Sequence, residues 1–104
     1  MLDNKYHFNY CLLNNYPDGA SNIGMHADDE RDLNGPIASV SIGAERFFDF
    51  ASQNDPSDKL RLTLQHGSLV VMGGDTQKNY KHGIPVQKRI KDRRINLTFR
   101  VVKN

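Results

Sequence analysis

Residues 94–102 read RINLTFRVV, a stretch in which polar and apolar side chains alternate with a period of two. Residues two apart in an extended strand lie on the same face. The polar face therefore carries Arg94, Asn96, Thr98 and Arg100. Two arginines on one face can hold a dicarboxylate, because a planar guanidinium meets a carboxylate in two parallel hydrogen bonds. The alternative is that this face is the solvent-exposed side of an edge strand.

The rest of the chain consists of short β-forming runs separated by Gly, Asp, Asn and Pro clusters. The runs are YHFNYCLLNNY (6–16), NIGMH (22–26), PIASVSIG (36–43), RFFDFAS (46–52), KLRLTLQ (59–65) and SLVVMGG (68–74). None of them shows the pattern of an amphipathic helix at useful length. We therefore predict seven or eight strands arranged as a sandwich, barrel or jelly roll. The polar segment 52–59 is predicted to be a hairpin connection at the surface.

Length and composition indicate a single domain spanning residues 1–104, with an ordinary globular balance of 38% hydrophobic and 25% charged residues. No apolar run is long enough for a membrane helix, and the first residues lack the apolar region of a secretory signal. We therefore expect an intracellular protein that does not contact membranes. The single cysteine, Cys11, excludes an internal disulfide and a multi-cysteine zinc site, and is expected to pack within a strand.

Positive charge is concentrated at the C-terminal end of the chain. Residues 75–104 contain nine Lys and Arg against two acidic residues, whereas the whole chain carries a net charge of only +2. A basic flank of this kind suits contact with a polyanion such as nucleic acid, and Lys88, Arg89 and Lys91 are its candidate phosphate contacts. The alternative is an ordinary solvated hairpin.

A second polar cluster, HADDE at residues 26–30, suggests a metal site. His26 and Asp28 are two apart and can point to the same side, and His82 can supply a third ligand. Two histidines and a carboxylate form the facial triad of non-haem iron(II) oxygenases, which leaves positions open for substrate and oxygen. Zinc hydrolases use the same ligand types, so the three residues do not choose the metal.

Asn14 and Tyr16 form a third polar set, again two residues apart on one face. An amide and a phenol are suitable neutral donors to a carboxylate oxygen. The alternative is a purely structural pair, in which Tyr16 closes the core and Asn14 begins the following turn.

Taken together, four segments resemble the AlkB-like Fe(II)/2-oxoglutarate dioxygenases, which demethylate nucleic acids. The segments are NNYPDGASNIGMHADDE (14–30), GPIASVSIGAERFFDF (35–50), HGSLVVMGGDTQKNYKHGIP (66–85) and RRINLTFR (93–100). The likeness extends from about Tyr6 to Val101. It implies a mainly β fold, the double-stranded β-helix (jelly roll) catalytic core, here without the nucleotide lid that usually lies upstream. The chain is then either a minimal enzyme or a truncated catalytic core.

The resemblance also implies the roles of individual residues. Iron(II) would be bound by His26, Asp28 and His82. The co-substrate 2-oxoglutarate would be held by Arg94, Asn14, Tyr16 and Asn96, with Arg94 on the carboxylate far from the metal. Arg100 would lie near the metal-end carboxylate and near Asp28, and so support that ligand. Asp29 and Glu30 would recognise the damaged base.

The implied reaction uses dioxygen and 2-oxoglutarate to hydroxylate an N-methyl group on a base, with release of succinate, carbon dioxide and formaldehyde. Bases such as 1-methyladenine and 3-methylcytosine are cationic, which suits recognition by Asp29 and Glu30. The expected partner is alkylated DNA or RNA, with single strands favoured because a base in a duplex must first be flipped out. The protein is expected to act as a monomer.

The sequence departs from the family in having no upstream lid and no tryptophan. Base stacking would then depend on the His26 face and on an aromatic residue such as Tyr6, Phe8 or Tyr80. Two other functions remain open at this stage. One is a catalytically weak or silent nucleic-acid-binding jelly roll, and the other is an oxygenase that acts on a substrate other than nucleic acid.

Overall fold

The computed structural model describes residues 7–27, 35–55, 57–73 and 79–102. Eight strands lie in these ranges, in agreement with the seven or eight that the sequence predicts. Their bounds are β1 Tyr10–Tyr16, β2 Ile23–His26, β3 Ile37–Gly43, β4 Arg46–Ser52, β5 Lys59–Leu64, β6 Leu69–Met72, β7 Tyr80–Ile84 and β8 Arg94–Arg100.

The strands form two four-stranded antiparallel sheets, in the orders β1-β8-β3-β6 and β2-β7-β4-β5. Apart from the β4–β5 hairpin, each consecutive pair of strands lies in different sheets, so the chain winds back and forth across the interior. This arrangement is the predicted double-stranded β-helix. The polar segment 52–59 connects β4 to β5, which confirms the predicted surface hairpin.

Strand β7 is absent from the β-forming runs identified in the sequence. Its residues, YKHGI, include the charged Lys81 and the strand-disfavoured Gly83, so the local pattern gives no strand signal. Hydrogen bonds to neighbouring strands stabilise β7 despite its low β-propensity, because β7 lies between β2 and β4 and pairs with both. The missed strand is the one that carries His82.

Strand β8 is central in its sheet, so the edge-strand alternative is wrong. It pairs with β1 on one side and with β3 on the other. Its polar face points into the space between the sheets, where Arg94 is only 2% exposed and Arg100 only 6%. Its apolar residues are half-buried and point outward, on the same side of the sheet as the exposed Leu13 and Leu69.

The hydrophobic core lies between the two sheets and is small. Its buried members are Tyr16, Ile37, Phe48, Leu64, Met72 and Ile84. Cys11 lies within β1 as predicted, but it is exposed and does not pack in the core, because it points to the outer side of the sheet. Within the described ranges, no helix has the length and hydropathy needed to cross a membrane.

Gly43 ends β3 in a conformation that favours glycine. Its φ is +99°, and a Cβ built on it would lie 2.3 Å from the carbonyl oxygen of Arg93. We expect Gly43→Ala to lower the free energy of unfolding by about 3 kcal/mol or more, because backbone strain and a backbone clash add together. Urea unfolding of the two proteins measures this difference.

Gly67 provides the matched control for this substitution. Its φ is +80°, yet nothing lies within 4 Å of a Cβ at this position. Gly67→Ala should therefore cost only the conformational strain, about 1–2 kcal/mol. Equal losses for the two substitutions would show that the contact with Arg93 does not constrain the β3–β4 turn.

Candidate functional site

A cavity of about 130 Å³ lies between the two sheets, similar in size to an engineered protein cavity that takes up benzene. Many of the side chains in its wall are polar. The polar lining residues are Asn14, Tyr16, His26, Ser39, His82, Arg94, Asn96, Thr98 and Arg100. Among the described lining residues there is no Asp or Glu, so the charge that the wall presents is positive.

Two histidines face this cavity from adjacent strands. His26 of β2 and His82 of β7 are direct partners in the antiparallel register, and their ring centroids are 4.5 Å apart. Gly83 allows this approach, since a Cβ there would lie 2.8 Å from the carbonyl oxygen of Ile23 and 3.0 Å from the Met25 sulfur. The absence of a side chain at Gly83 lets β2 lie close enough to bring the two imidazoles together.

The orientation of His26 suits metal binding. Its Nδ1 lies 2.8 Å from the carbonyl oxygen of Gly24, and a carbonyl can only accept, so Nδ1 carries the proton. In the neutral ring, Nε2 then carries the lone pair that coordinates metals. A hydrogen bond from the second ring nitrogen to a backbone carbonyl is a common way of fixing a metal-binding histidine.

Aromatic residues of β4 hold His82 in place. Phe48 and Phe50 stack with centroids 4.8 Å apart, and they lie 5.4 and 6.2 Å from the His82 ring. Phe48 and Phe50 of the run RFFDF therefore contribute packing around His82. A buried imidazole between aromatic rings has few alternative rotamers, which favours a preformed site.

Asp28, Asp29 and Glu30, predicted as a metal ligand and as base-recognising residues, lie outside the described residues. Within the described ranges, no third His, Cys, Asp or Glu joins His26 and His82 in a group suited to a metal ion. The two imidazoles fit the histidine part of the predicted triad, because they are adjacent and face one cavity.

Arg94 is the most deeply buried charge in the cavity wall. Its Nη2 donates to the Ser41 hydroxyl at 2.9 Å, whereas its Nε and Nη1 are buried without a hydrogen-bond partner. Burial lowers the pKa of the Arg94 guanidinium. Arginine side chains nevertheless keep their proton in proteins at neutral pH. A buried cation with two unused donors is costly in isolation, and a carboxylate between them offsets that cost.

Asn14, Tyr16 and Asn96 line the cavity beside Arg94. In the register of β1 and β8, Tyr16 is opposite Arg94 and Asn14 is opposite Asn96. The amide of Asn96 is already engaged. Its nitrogen donates to the Ser39 hydroxyl at 2.6 Å, and its oxygen accepts from the Thr98 hydroxyl at 2.8 Å. This network fixes the wall between the two arginines of β8.

Burial raises the pKa of the Tyr16 phenol, and the nearby charges of Arg94 and Arg46 oppose this shift only in part. A phenol whose pKa is higher in the folded than in the unfolded state stabilises the fold fully below pH 10. That contribution is lost as the pH rises above 10, because the unfolded chain then releases its proton first. We therefore expect stability to fall more steeply between pH 9 and 11 in the wild type than in Tyr16→Phe. Urea unfolding across this range measures the difference, and a constant gap between the two proteins would contradict it.

One buried residue next to the cavity wall, Arg46, was not among the sequence candidates. An arginine at the start of RFFDF looks like the solvated end of a strand, yet Arg46 is 1% exposed. The sequence contains one indication that Arg46 is buried. Residues two apart in a strand lie on the same face, so Arg46 shares a face with the core residue Phe48. Its guanidinium carbon lies 5.7 Å from the centroid of the Tyr16 ring.

The predicted stacking residues do not gather at the described cavity. Phe8 lies against Phe99, with ring centroids 6.3 Å apart, and the Tyr80 hydroxyl donates to Asp58 at 2.9 Å. Tyr6 is outside the described residues. The predicted base-stacking partner is therefore not identified within the described part of the chain.

The exposed basic residues Lys88, Arg89 and Lys91 lie on the loop between β7 and β8. Backbone hydrogen bonds join this loop to the turn after β1, with Gly19 donating to Ile90 at 2.8 Å. The loop thus adjoins the end of the cavity where Arg94 and the end of β1 meet. Its contact with phosphates stays a prediction.

A family model for the 2OG-Fe(II) oxygenase superfamily matches residues 2–100. Two DNA oxidative demethylases ALKBH2 are similar to the chain, at 46% identity for Bos taurus and 45% for Homo sapiens. Each alignment covers 91% of this chain, but only 37% and 40% of the respective relative. The alpha-ketoglutarate-dependent dioxygenase alkB homolog 3 of Rattus norvegicus is 36% identical, over 91% of this chain and 36% of its own length.

The solved structure of OsALKBH1 is also similar, with a TM-score of 0.70 and 26% sequence identity. The match covers 88% of this chain and 48% of that structure. The chain thus spans less than half the length of these relatives. The family-model match, residues 2–100, includes all eight described strands.

Proposed function

Since the chain belongs to the 2OG-Fe(II) oxygenase superfamily, we propose that it catalyses Fe(II)- and 2-oxoglutarate-dependent oxidative demethylation of N-alkylated bases in DNA or RNA. The resemblance to AlkB-like dioxygenases is confirmed by the ALKBH2 and ALKBH3 relatives and by the structural match. We further propose that residues 1–104 form one catalytic domain, which acts as a monomer.

The observation that carries this proposal is the buried Arg94 in the cavity that also holds the histidine pair. A guanidinium with two unused donors is suited to bind an anion, and two adjacent imidazoles are suited to bind a metal ion. A ligand with a carboxylate at one end and metal-binding oxygens at the other satisfies both at once. 2-Oxoglutarate has this chemistry, so one small molecule accounts for both ends of the cavity.

In this proposal iron(II) is held by His26 and His82 together with Asp28. The far carboxylate of 2-oxoglutarate accepts hydrogen bonds from Arg94, with Tyr16 and Asn14 beside it and Asn96 fixing the intervening wall. Arg100 lies near the other carboxylate. When both are bound, iron and 2-oxoglutarate supply the activation of dioxygen that oxidises the N-methyl group.

The substrate class follows from charge and from the named relatives. Methylation of the pairing edge, as in 1-methyladenine or 3-methylcytosine, makes a base cationic, and Asp29 and Glu30 are the proposed recognition groups. Single-stranded nucleic acid is the favoured form, because a stacked base must leave the duplex at a cost of a few kcal/mol. The basic loop containing Lys88, Arg89 and Lys91 offers contacts to the phosphates.

The test is release of formaldehyde and succinate by the purified chain, supplied with Fe(II), ascorbate, 2-oxoglutarate and a single-stranded oligonucleotide that carries one 1-methyladenine. We expect equal amounts of the two products. The same oligonucleotide without the methyl group is the control, and it should yield no formaldehyde.

Succinate without formaldehyde would show that the oxygen-activating centre works while the base is not recognised. This result would contradict the proposed substrate but not the proposed chemistry. Absence of both products from a protein that demonstrably binds iron would contradict the proposed activity as a whole.

A further inference from the structure

Arg46 is one of the most deeply buried side chains in the described structure, at 1% exposure, and it makes no direct contact with the cavity. Its guanidinium is surrounded by acceptors from two segments, the β1–β2 connection and the β7–β8 loop. Nη1 donates to the carbonyl of Asp18 at 3.2 Å, and Nη2 donates to the carbonyls of Ser21 and Pro85, each at 2.7 Å. Nε donates to Gln87 Oε1 at 3.1 Å.

These acceptors are neutral, so the hydrogen bonds satisfy the guanidinium without removing its charge. Among the described residues no acidic side chain pairs with Arg46 within 4.0 Å, although Asp18 acts on it at longer range. A buried charge that is hydrogen-bonded but not neutralised projects its field into its surroundings.

That field reaches the carboxylate end of the cavity. The guanidinium carbons of Arg46 and Arg94 lie 5.7 and 5.2 Å from the centroid of the same Tyr16 ring. The two cations therefore lie near one phenol, and their repulsion contributes to lowering the pKa of Arg94. Two buried like charges on one ring are unfavourable unless an anion joins them.

We propose that Arg46 is a positioning residue for the far carboxylate of the co-substrate. It acts through Tyr16, whose ring its guanidinium approaches, and through its own positive charge close to that ring. The inference rests on the proposed function, because it takes 2-oxoglutarate as the ligand of the Arg94 end. It predicts that Arg46 helps the site to distinguish a dianionic 2-oxo acid from a monoanionic one.

The test compares binding of 2-oxoglutarate and of 2-oxopentanoate, which has the same chain length but a methyl group in place of the far carboxylate. Isothermal titration calorimetry is run with Mn(II), which accepts the same oxygen and imidazole ligands and allows binding to be measured without turnover. We expect Arg46→Gln to weaken the binding of 2-oxoglutarate about ten-fold, equivalent to about 1.4 kcal/mol of binding free energy. Binding of 2-oxopentanoate should change less than two-fold.

Gln87→Glu tests the charge without removing Arg46, and it covers the case in which Arg46→Gln does not fold. Gln87 Oε1 accepts hydrogen bonds from Arg46 Nε and from the Phe47 N–H, and a carboxylate oxygen can accept both. The new carboxylate neutralises Arg46 in place. A purely structural role for Arg46 predicts unchanged binding, whereas the proposal predicts selective weakening of 2-oxoglutarate.

Arg61→Gln and Gln65→Glu are the matched controls, since each makes the same change in net charge at an exposed position. Both should bind 2-oxoglutarate as the wild type does. Equal weakening of both acids by Gln87→Glu, or no weakening of either, would overturn the role of Arg46 and leave the proposed function intact. Failure of the wild-type protein to bind 2-oxoglutarate would overturn the proposed function itself.

Discussion

We expect His82→Ala to lose stoichiometric iron binding and to reduce 2-oxoglutarate turnover by at least about 100-fold. Residues that merely orient a metal ligand already contribute about 10- to 100-fold, and removal of a ligand should cost more. His82 is paired with His26 across β2 and β7, so its loss leaves a single described imidazole at the site. Iron content after gel filtration and succinate release provide the two measurements.

His7→Ala is the matched control, because His7 is an exposed histidine near the start of the described chain and lies outside the cavity lining. It should retain full iron binding and turnover. His82 also packs against Phe48, so the melting temperature of His82→Ala must be recorded, with His82→Gln as a bulkier second variant. A folded His82→Ala protein that retains wild-type iron content would remove His82 from the metal site.

The second large effect is expected for Arg94→Gln, which should raise the apparent KM for 2-oxoglutarate by about 100-fold or more. A hydrogen bond to a charged group contributes about 1.5–3 kcal/mol, and Arg94 offers two unused donors, Nε and Nη1. The loss should fall mainly on KM rather than on kcat, because the far carboxylate is remote from the reacting atoms. Steady-state succinate release at varied 2-oxoglutarate separates the two constants.

The stability of the ligand-free protein shows whether Arg94 has a ligand-binding role or a structural role. Removal of a buried cation that lacks a counter-charge often leaves stability unchanged or improves it. The melting temperature of Arg94→Gln should therefore be close to that of the wild type in the absence of 2-oxoglutarate. Addition of the ligand should raise the melting temperature of the variant less than that of the wild type. Arg61→Gln, at a position that is 53% exposed, controls for the change in net charge. A large drop in melting temperature together with unchanged KM would make Arg94 a structural residue.

Much of the fold was predictable because its signals are local. The alternation in β8 assigned Arg94 and Arg100 to one face, and turn residues marked the limits of seven strands. The alternation could not show which face points inward, since the usual rule places the apolar side inside. Here the interior is a polar cavity, so β8 turns its charged side inward and its apolar side outward.

The remaining features depend on contacts between segments that are distant in the sequence, and a local pattern of residues does not show such contacts. Strand β7 forms because β2 and β4 bond to it on either side, despite Lys81 and Gly83. Arg46 resembles a surface residue until the turns that supply its acceptors are brought together by the fold. Asn96 stays a predicted co-substrate ligand, and the hydrogen bonds of its amide with Ser39 and Thr98 are a further feature that the alternation in β8 does not show.

The inward-facing arginines also make the stability of the fold depend on the concentration of an anionic ligand. In an ordinary β sandwich the space between the sheets is filled by apolar side chains, but here a small anion is the natural occupant of part of that space. A ligand that binds only the folded state stabilises it by RT ln(1 + [L]/Kd), about 2.7 kcal/mol at a hundred-fold excess over Kd. Under the proposed function, the supply of 2-oxoglutarate would therefore affect how well this protein resists unfolding and proteolysis, in addition to its rate of turnover.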